Sequence, residues 1–106
     1  MPHCKEADWK LFKEKIIVWQ RNYIEKQNQK LIKILSDEKL SPEERFWEAE
    51  KLIFSEKKKA GVSVELSRSK FKFNIMQLLN TKVITLNDLS DFSGELQEEI
   101  KRYLED

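Results

Sequence analysis

Hydrophobic residues recur at steps of three and four over the first third of the chain. The row consists of Trp9, Phe12, Ile16, Trp19, Tyr23, Gln27, Leu31 and Ile34. Because an α-helix has about 3.6 residues per turn, side chains at this spacing lie on one face of a helix. Charged residues fill most of the opposite face. The pattern predicts one long amphipathic helix over residues 7–35, with a frayed start over residues 1–6.

The remaining pattern predicts shorter helices. Ser41-Pro42-Glu43-Glu44 combines an N-cap, a proline at the first helical position and a capping box, and predicts a helix over 42–60. Gly61, behind three lysines, is expected to end it in a left-handed turn. Similar spacing predicts helices over 63–81, 86–92 and 94–105. The expected fold is a single all-α domain over 1–106, a helical bundle in which the long N-terminal helix packs with about three to four shorter ones.

The helical faces also predict which large side chains form the core. The residues expected to be buried are Trp47, Phe54, Phe71, Ile75, Leu78, Leu89, Phe92 and Ile100. Hydrophobic residues make up 40% of the chain, which is enough for a real core despite 37% charged residues. With only two glycines and two prolines, the chain has few turn formers, which favours long helices.

The sequence shows no membrane segment and no disulfide framework. The longest apolar run covers residues 16–19, far short of the ~20 residues of a membrane span. Cys4 is the only cysteine and has no partner in the chain. These features predict a cytoplasmic protein that does not enter a membrane.

No residue constellation typical of catalysis or of metal binding is present. The only histidine, His3, lies in the segment expected to fray, so a nucleophile would lack a positioned base. His3 and Cys4 are only two adjacent ligands, fewer than a metal site needs. Two glycines are too few for a phosphate-binding loop. We expect a protein that is not an enzyme and that has no catalytic residue, metal or cofactor.

Charge leaves a nucleic-acid alternative open. Residues 57–72 contain six cations and one acid, Glu65, and residues 85–106 contain seven acids and two cations. The residues of this basic strip that could contact phosphates are Lys57, Lys58, Lys59, Arg68, Lys70 and Lys72. Because the net charge of the whole chain is only +1, we place this alternative second.

Residues 60–68, Ala-Gly-Val-Ser-Val-Glu-Leu-Ser-Arg, resemble the turn and the start of the recognition helix in helix-turn-helix repressors. The resemblance implies a helix that begins near Ser63. In those repressors Ala-Gly-Val-Ser is followed by a few residues and then by Val-Ser-Arg. In this chain the corresponding gap, before Leu-Ser-Arg, is one residue shorter. Glu56, Lys57 and Lys58 also stand where the motif has small or apolar residues.

The length of the first helix indicates an association. A helix over 7–35 spans about 43 Å, whereas a compact chain of this size has a diameter of roughly 34 Å. The helix therefore extends beyond its own domain, and its apolar stripe continues over most of that length. We expect a homodimer, with an interface formed by Trp9, Phe12, Ile16, Trp19 and Tyr23. The most suitable function is a protein–protein interaction or adaptor module.

Overall fold

The computed structural model of this protein describes residues 5–105. It contains four α-helices, which are α1 Glu6–Leu35, α2 Pro42–Glu56, α3 Phe71–Asn80 and α4 Gly94–Glu105. Short 3₁₀ turns lie at Arg68–Lys70 and Leu86–Leu89. The fold is all helical, at 73% helix with no strand among the described residues. The predicted fold class is confirmed.

Helix α1 begins at Glu6, inside the stretch that was expected to fray; residues 1–4, to which most of that expectation applies, lie outside the described residues. Glu6 and Asp8 place negative charge in its first turn, where the helix dipole favours it. The helix ends at Leu35. The Arg45 guanidinium donates to the Leu35 carbonyl at 3.2 Å, which satisfies one of the last carbonyl groups.

The predicted capping box opens α2. The Ser41 hydroxyl accepts a hydrogen bond from the Glu44 amide at 3.1 Å, and the Glu44 carboxylate accepts one from the Ser41 amide at 2.9 Å. The helix ends at Glu56 rather than at residue 60. Gly61 does not adopt a left-handed conformation. It lies against the Tyr23 ring, where any Cβ would overlap the ring carbons, so the glycine permits close packing instead of stopping the helix.

The helix predicted over 63–81 begins only at Phe71. The Ser67 hydroxyl accepts from the Lys70 amide at 3.3 Å and starts the 3₁₀ turn that precedes α3. The Asn74 side chain donates to the Glu65 carbonyl at 2.8 Å and holds the preceding segment outside the helix. No helix begins near Ser63, so the arrangement implied by the helix-turn-helix resemblance is not formed. The helix predicted over 86–92 is likewise only a 3₁₀ turn.

Two regions share α1. The body comprises residues 6–23 of α1 with residues 60–105. The hairpin comprises residues 24–35 of α1, the loop over residues 36–41 and α2. The body encloses one core, whose members are Trp9, Phe12, Ile16, Ala60, Phe71, Ile75, Leu78, Ile84, Leu89, Phe92, Leu96 and Ile100. The rings of Phe12 and Phe71 meet edge to face with centroids 5.0 Å apart. All six residues of the body that were predicted to be buried are confirmed.

The molecule is elongated. Its principal extents are 52 × 25 × 22 Å and its radius of gyration is 16.8 Å, compared with about 13 Å for a compact chain of 100 residues. Helix α1 extends past the body, and α2 folds back along one side of the extension. The expected overhang of the first helix is therefore present, and it is covered on one side only.

Candidate protein interface on the helical hairpin

The residues predicted to form a dimer interface lie in the body. Trp9, Phe12 and Ile16 are buried inside their own chain by α3 and α4, so they present no surface to a partner. Trp19 is half-buried against Phe92, with ring centroids 6.3 Å apart. Tyr23 is half-buried and its hydroxyl donates to Glu56. Three of the five residues predicted for the interface are therefore covered by their own chain. Helical spacing identifies an apolar face but not the chain that covers it.

The exposed apolar surface lies instead on α2. Only Ala49 and Glu56 of this helix are buried. Four of its five large apolar residues are more than half exposed: Phe46 at 61%, Trp47 at 60%, Ile53 at 52% and Phe54 at 58%. The fifth, Leu52, is half-buried. The prediction that Trp47 and Phe54 belong to the core is therefore wrong. Helix α2 contacts the chain along a narrow strip and leaves its bulkiest side chains in solvent.

The exposed residues of the two hairpin helices share one side. Phe46 and Ile53 are seven residues apart on α2, and Ile17 and Ile24 are seven apart on α1, so each pair is two turns apart on the same side of its helix. A groove of about 150 Å³ runs between the helices on this side and is lined by Ile24, Asn28, Leu31, Leu52, Ile53 and Lys57, among others. We define the hairpin face by the large exposed residues on this side of the hairpin together with Ile17, which continues the face onto the body; its members are Ile17, Ile24, Ile32, Leu35, Phe46 and Ile53.

The opposite side of the hairpin is polar. A shallow depression there is lined by Lys33, Asp37, Glu44 and Glu48, with Ile34 and Leu40 beneath them. Lys51 pairs with Glu48 at 3.5 Å on the same side, and both side chains are largely exposed. The hairpin thus has one apolar and one charged face, which is typical of two helices that lie at the edge of a larger bundle.

A polar cluster fixes the base of the hairpin to the body. Glu56 is buried, accepts a hydrogen bond from the Tyr23 hydroxyl and pairs with Lys59 at 2.5 Å. The Gln20 side chain donates to the Ala60 carbonyl at 2.9 Å. Burial raises the pKa of Glu56, but the hydrogen bonds from Lys59 and Tyr23 outweigh it and the pKa lies below its ordinary value. Burial and the hydrogen bond to Glu56 raise the pKa of Tyr23 to about 12.

Three of the six cations of the basic strip are held in ion pairs within the chain. Arg68 binds the Glu6 carboxylate through contacts of 2.8 and 3.0 Å and lies over the Trp9 ring. Lys72 pairs with Glu99 at 2.7 Å and is largely buried. Lys59 pairs with Glu56 in the polar cluster. These three side chains therefore have carboxylate partners and are less available to phosphates.

The other three cations lie on the surface, two of them beside one ring and the third beside another. Lys57 and Lys58 approach the Phe54 ring at 4.9 and 6.0 Å, and Lys70 lies 5.8 Å from the Phe73 ring. Lys58, Lys59 and Lys70 line an open depression of about 450 Å³ beside Phe73. The structure thus divides the basic strip between the hairpin, this depression and the intrachain ion pairs.

Among residues 5–105, no group of three or more histidine, cysteine, aspartate or glutamate side chains is placed to hold a metal ion. His3 and Cys4 lie outside the described residues. No helix in the described part of the chain is both long and apolar enough to cross a membrane. Comparisons with known protein families, with curated proteins and with solved structures find no match.

Proposed function

We propose that this chain is a small, cytoplasmic, non-enzymatic helical interaction or adaptor module that binds a protein partner through the hairpin face. The observation that supports the proposal is the exposure of α2. This 15-residue helix has one buried apolar residue, Ala49, while four large apolar side chains are exposed.

Energetics indicate that a partner belongs on this surface. A helix of about 15 residues is marginal in water by itself and needs tertiary contacts on an apolar face. Full burial of a large apolar side chain contributes roughly 1.5–3 kcal/mol. The four exposed side chains of α2 obtain less than half of this free energy within the chain; they are Phe46, Trp47, Ile53 and Phe54. Covering them would stabilise the hairpin as well as the complex.

The size of the surface supports the same proposal. The six large residues of the hairpin face are 37–61% exposed, so each leaves on the order of 100 Å² uncovered and the whole face about 600 Å². An apolar area of this size is at the upper end of what a typical monomer exposes. It approaches the ~800 Å² per partner of a standard interface.

A nucleic-acid-binding regulator is the alternative, and it has less support. It would rest on Lys58, Lys59 and Lys70 around the open depression. The ion pairs of Arg68 and Lys72 remove two of the six cations, and Lys59 also has a carboxylate partner. Because affinity for a polyanion grows with the number of phosphates that a protein neutralises, cations already paired within the chain add little to it.

Site-specific photo-crosslinking tests the interaction function. Benzoylphenylalanine placed at Phe46 lies on the hairpin face, and the same group at Lys51 lies on the charged side of the same helix. On irradiation in the native host, we expect a discrete protein adduct from position 46 and none from position 51. Equal labelling at both positions, or no adduct at position 46, would contradict the proposal.

A further inference from the structure

We infer that the occupant of the hairpin face is a second copy of this chain, so that two hairpins close an antiparallel four-helix bundle. The inference rests on the proposed function, because it names the partner of the same surface. The homodimer expected from the sequence is thereby retained, but its interface moves from the aromatic residues of the body to the other half of α1 and to α2.

The architecture of the hairpin suits a second hairpin. Four-helix bundles enclose their core between two layers of two helices, and this hairpin supplies one complete layer. Ile24 and Ile53 lie together along the groove near its base, and Leu35 and Phe46 lie towards its tip. An identical layer offers the same sizes and spacing, so the surface matches itself without a partner of different shape. The exposed apolar area of the hairpin is also close to what each protomer of a stable dimer contributes.

The thickness of the body determines how two copies can be oriented. Helices in adjacent layers pack 8–10 Å apart, whereas the molecule is 22–25 Å across its two short axes. If the hairpins ran in the same direction, the two bodies would lie at the same end and overlap. A two-fold axis perpendicular to the helices places the bodies at opposite ends. In that arrangement α1 faces α1 of the other copy, and every neighbouring pair of helices is antiparallel.

Sedimentation equilibrium of the full-length protein tests the second-copy inference. At micromolar concentration we expect twice the mass of one chain. The Phe46→Glu/Ile53→Glu variant should be monomeric, with the dissociation constant raised at least about a hundredfold, because each carboxylate would be buried without a partner. The matched control, Lys51→Glu/Ser55→Glu, adds the same residue type to the charged side and should remain a dimer with the same circular dichroism.

A cysteine at the centre of the surface tests the orientation without depending on the double variant. Asn28 lies in the groove, about midway between the Ile24 and Leu35 levels. In a Cys4→Ser background, Asn28→Cys should form an intermolecular disulfide on mild oxidation, and Lys26→Cys should not. A monomeric wild type, or a cross-link that is equal at both positions, overturns the inference. A monomer that still gives a face-specific adduct of another mass at position 46 overturns the second copy and leaves the proposed function standing.

Discussion

The body and the hairpin are built on the same helix and differ in how many neighbours cover it. In the body, α1 is covered by α3, α4 and the segments between them, and Phe12, Phe71 and Ile75 are fully buried. In the hairpin, α1 has only α2 beside it, and the buried residues there are few. The apolar face of one amphipathic helix can thus be buried in one half and largely exposed in the other, because burial depends on the layers around the helix more than on its own sequence.

The largest expected effect comes from replacing one phenylalanine in each region, Phe71 in the body and Phe46 in the hairpin. Phe71→Ala removes a ring that packs on Trp9 and Phe12 at 6.0 and 5.0 Å. We expect it to lower the free energy of unfolding by about 3–5 kcal/mol, because a cavity remains in a packed core. Phe46→Ala should change it by about 0.5 kcal/mol or less in the monomer, because that ring is exposed.

Urea unfolding at decreasing protein concentration measures both values. Dilution separates the stability of the monomer from any contribution of association. An equal decrease in the free energy of unfolding for Phe71→Ala and Phe46→Ala in the most dilute samples would show that Phe46 is packed as tightly in the monomer as Phe71.

The cluster that joins the two regions predicts a pH dependence of intermediate size. Since the folded pKa of Glu56 lies below its ordinary 4.5, its interactions stabilise the fold above about pH 4.5, and this stability is lost as the pH falls through the folded pKa. The pKa of Tyr23 is raised from 10.0 to about 12, so its contribution is present below pH 10 and is lost as the pH rises from 10 to 12.

Glu56→Gln should remove the acid-side loss and move the pKa of Tyr23 down towards 10. Ultraviolet absorbance of tyrosinate in a Tyr103→Phe background reports Tyr23 alone, because the chain has two tyrosines. Glu48→Gln, on the exposed side of α2, serves as the control and should leave the titration of Tyr23 unchanged. An unaltered pKa of Tyr23 in Glu56→Gln would place the joint between the regions elsewhere.

The end of α3 gives the smallest predicted effect and concerns the body alone. Lys82 has a φ of 62° and forms a Schellman cap, in which its amide bonds to the Leu79 carbonyl and the Val83 amide to the Leu78 carbonyl. A left-handed non-glycine residue is strained, so Lys82→Gly should raise the stability by about 0.5–1 kcal/mol. Lys82→Ala keeps the Cβ and should give no gain in thermal unfolding.

The sequence predicted the helical class, the capping box of α2 and the core of the body because each depends on local spacing or local chemistry. It failed where the outcome depends on which element comes to lie against another. The stripe through Trp9, Phe12 and Ile16 has the same appearance whether a second chain or the same chain covers it. The exposure of Trp47 and Phe54 could not be predicted from the sequence, because the same face of α2 would be buried if one more layer of helices packed against it.

Gly61 and residues 63–70 show the same limit on a smaller scale. A glycine after three lysines has the pattern of a helix stop. Glycine is required at position 61 for another reason, because the Tyr23 ring, 38 positions earlier in the chain, leaves no room for a Cβ. The serines of residues 63–69 favour several helix starts equally, and the bond from Asn74 to the Glu65 carbonyl selects the late one. One signal was available for the hairpin face: the apolar residues of α2 outnumber what a single narrow contact strip can bury.

Helix α1 has no glycine or proline between Glu6 and Leu35, and it passes without interruption from one region to the other. Its helical phase therefore sets the angle at which the hairpin projects from the body. One residue inserted between Tyr23 and Ile24 would rotate the hairpin by about 100° relative to the body. It would also break the contacts of Tyr23 with Glu56. Insertion of seven residues, close to two full turns, would nearly restore the angle while lengthening the arm by about 10 Å.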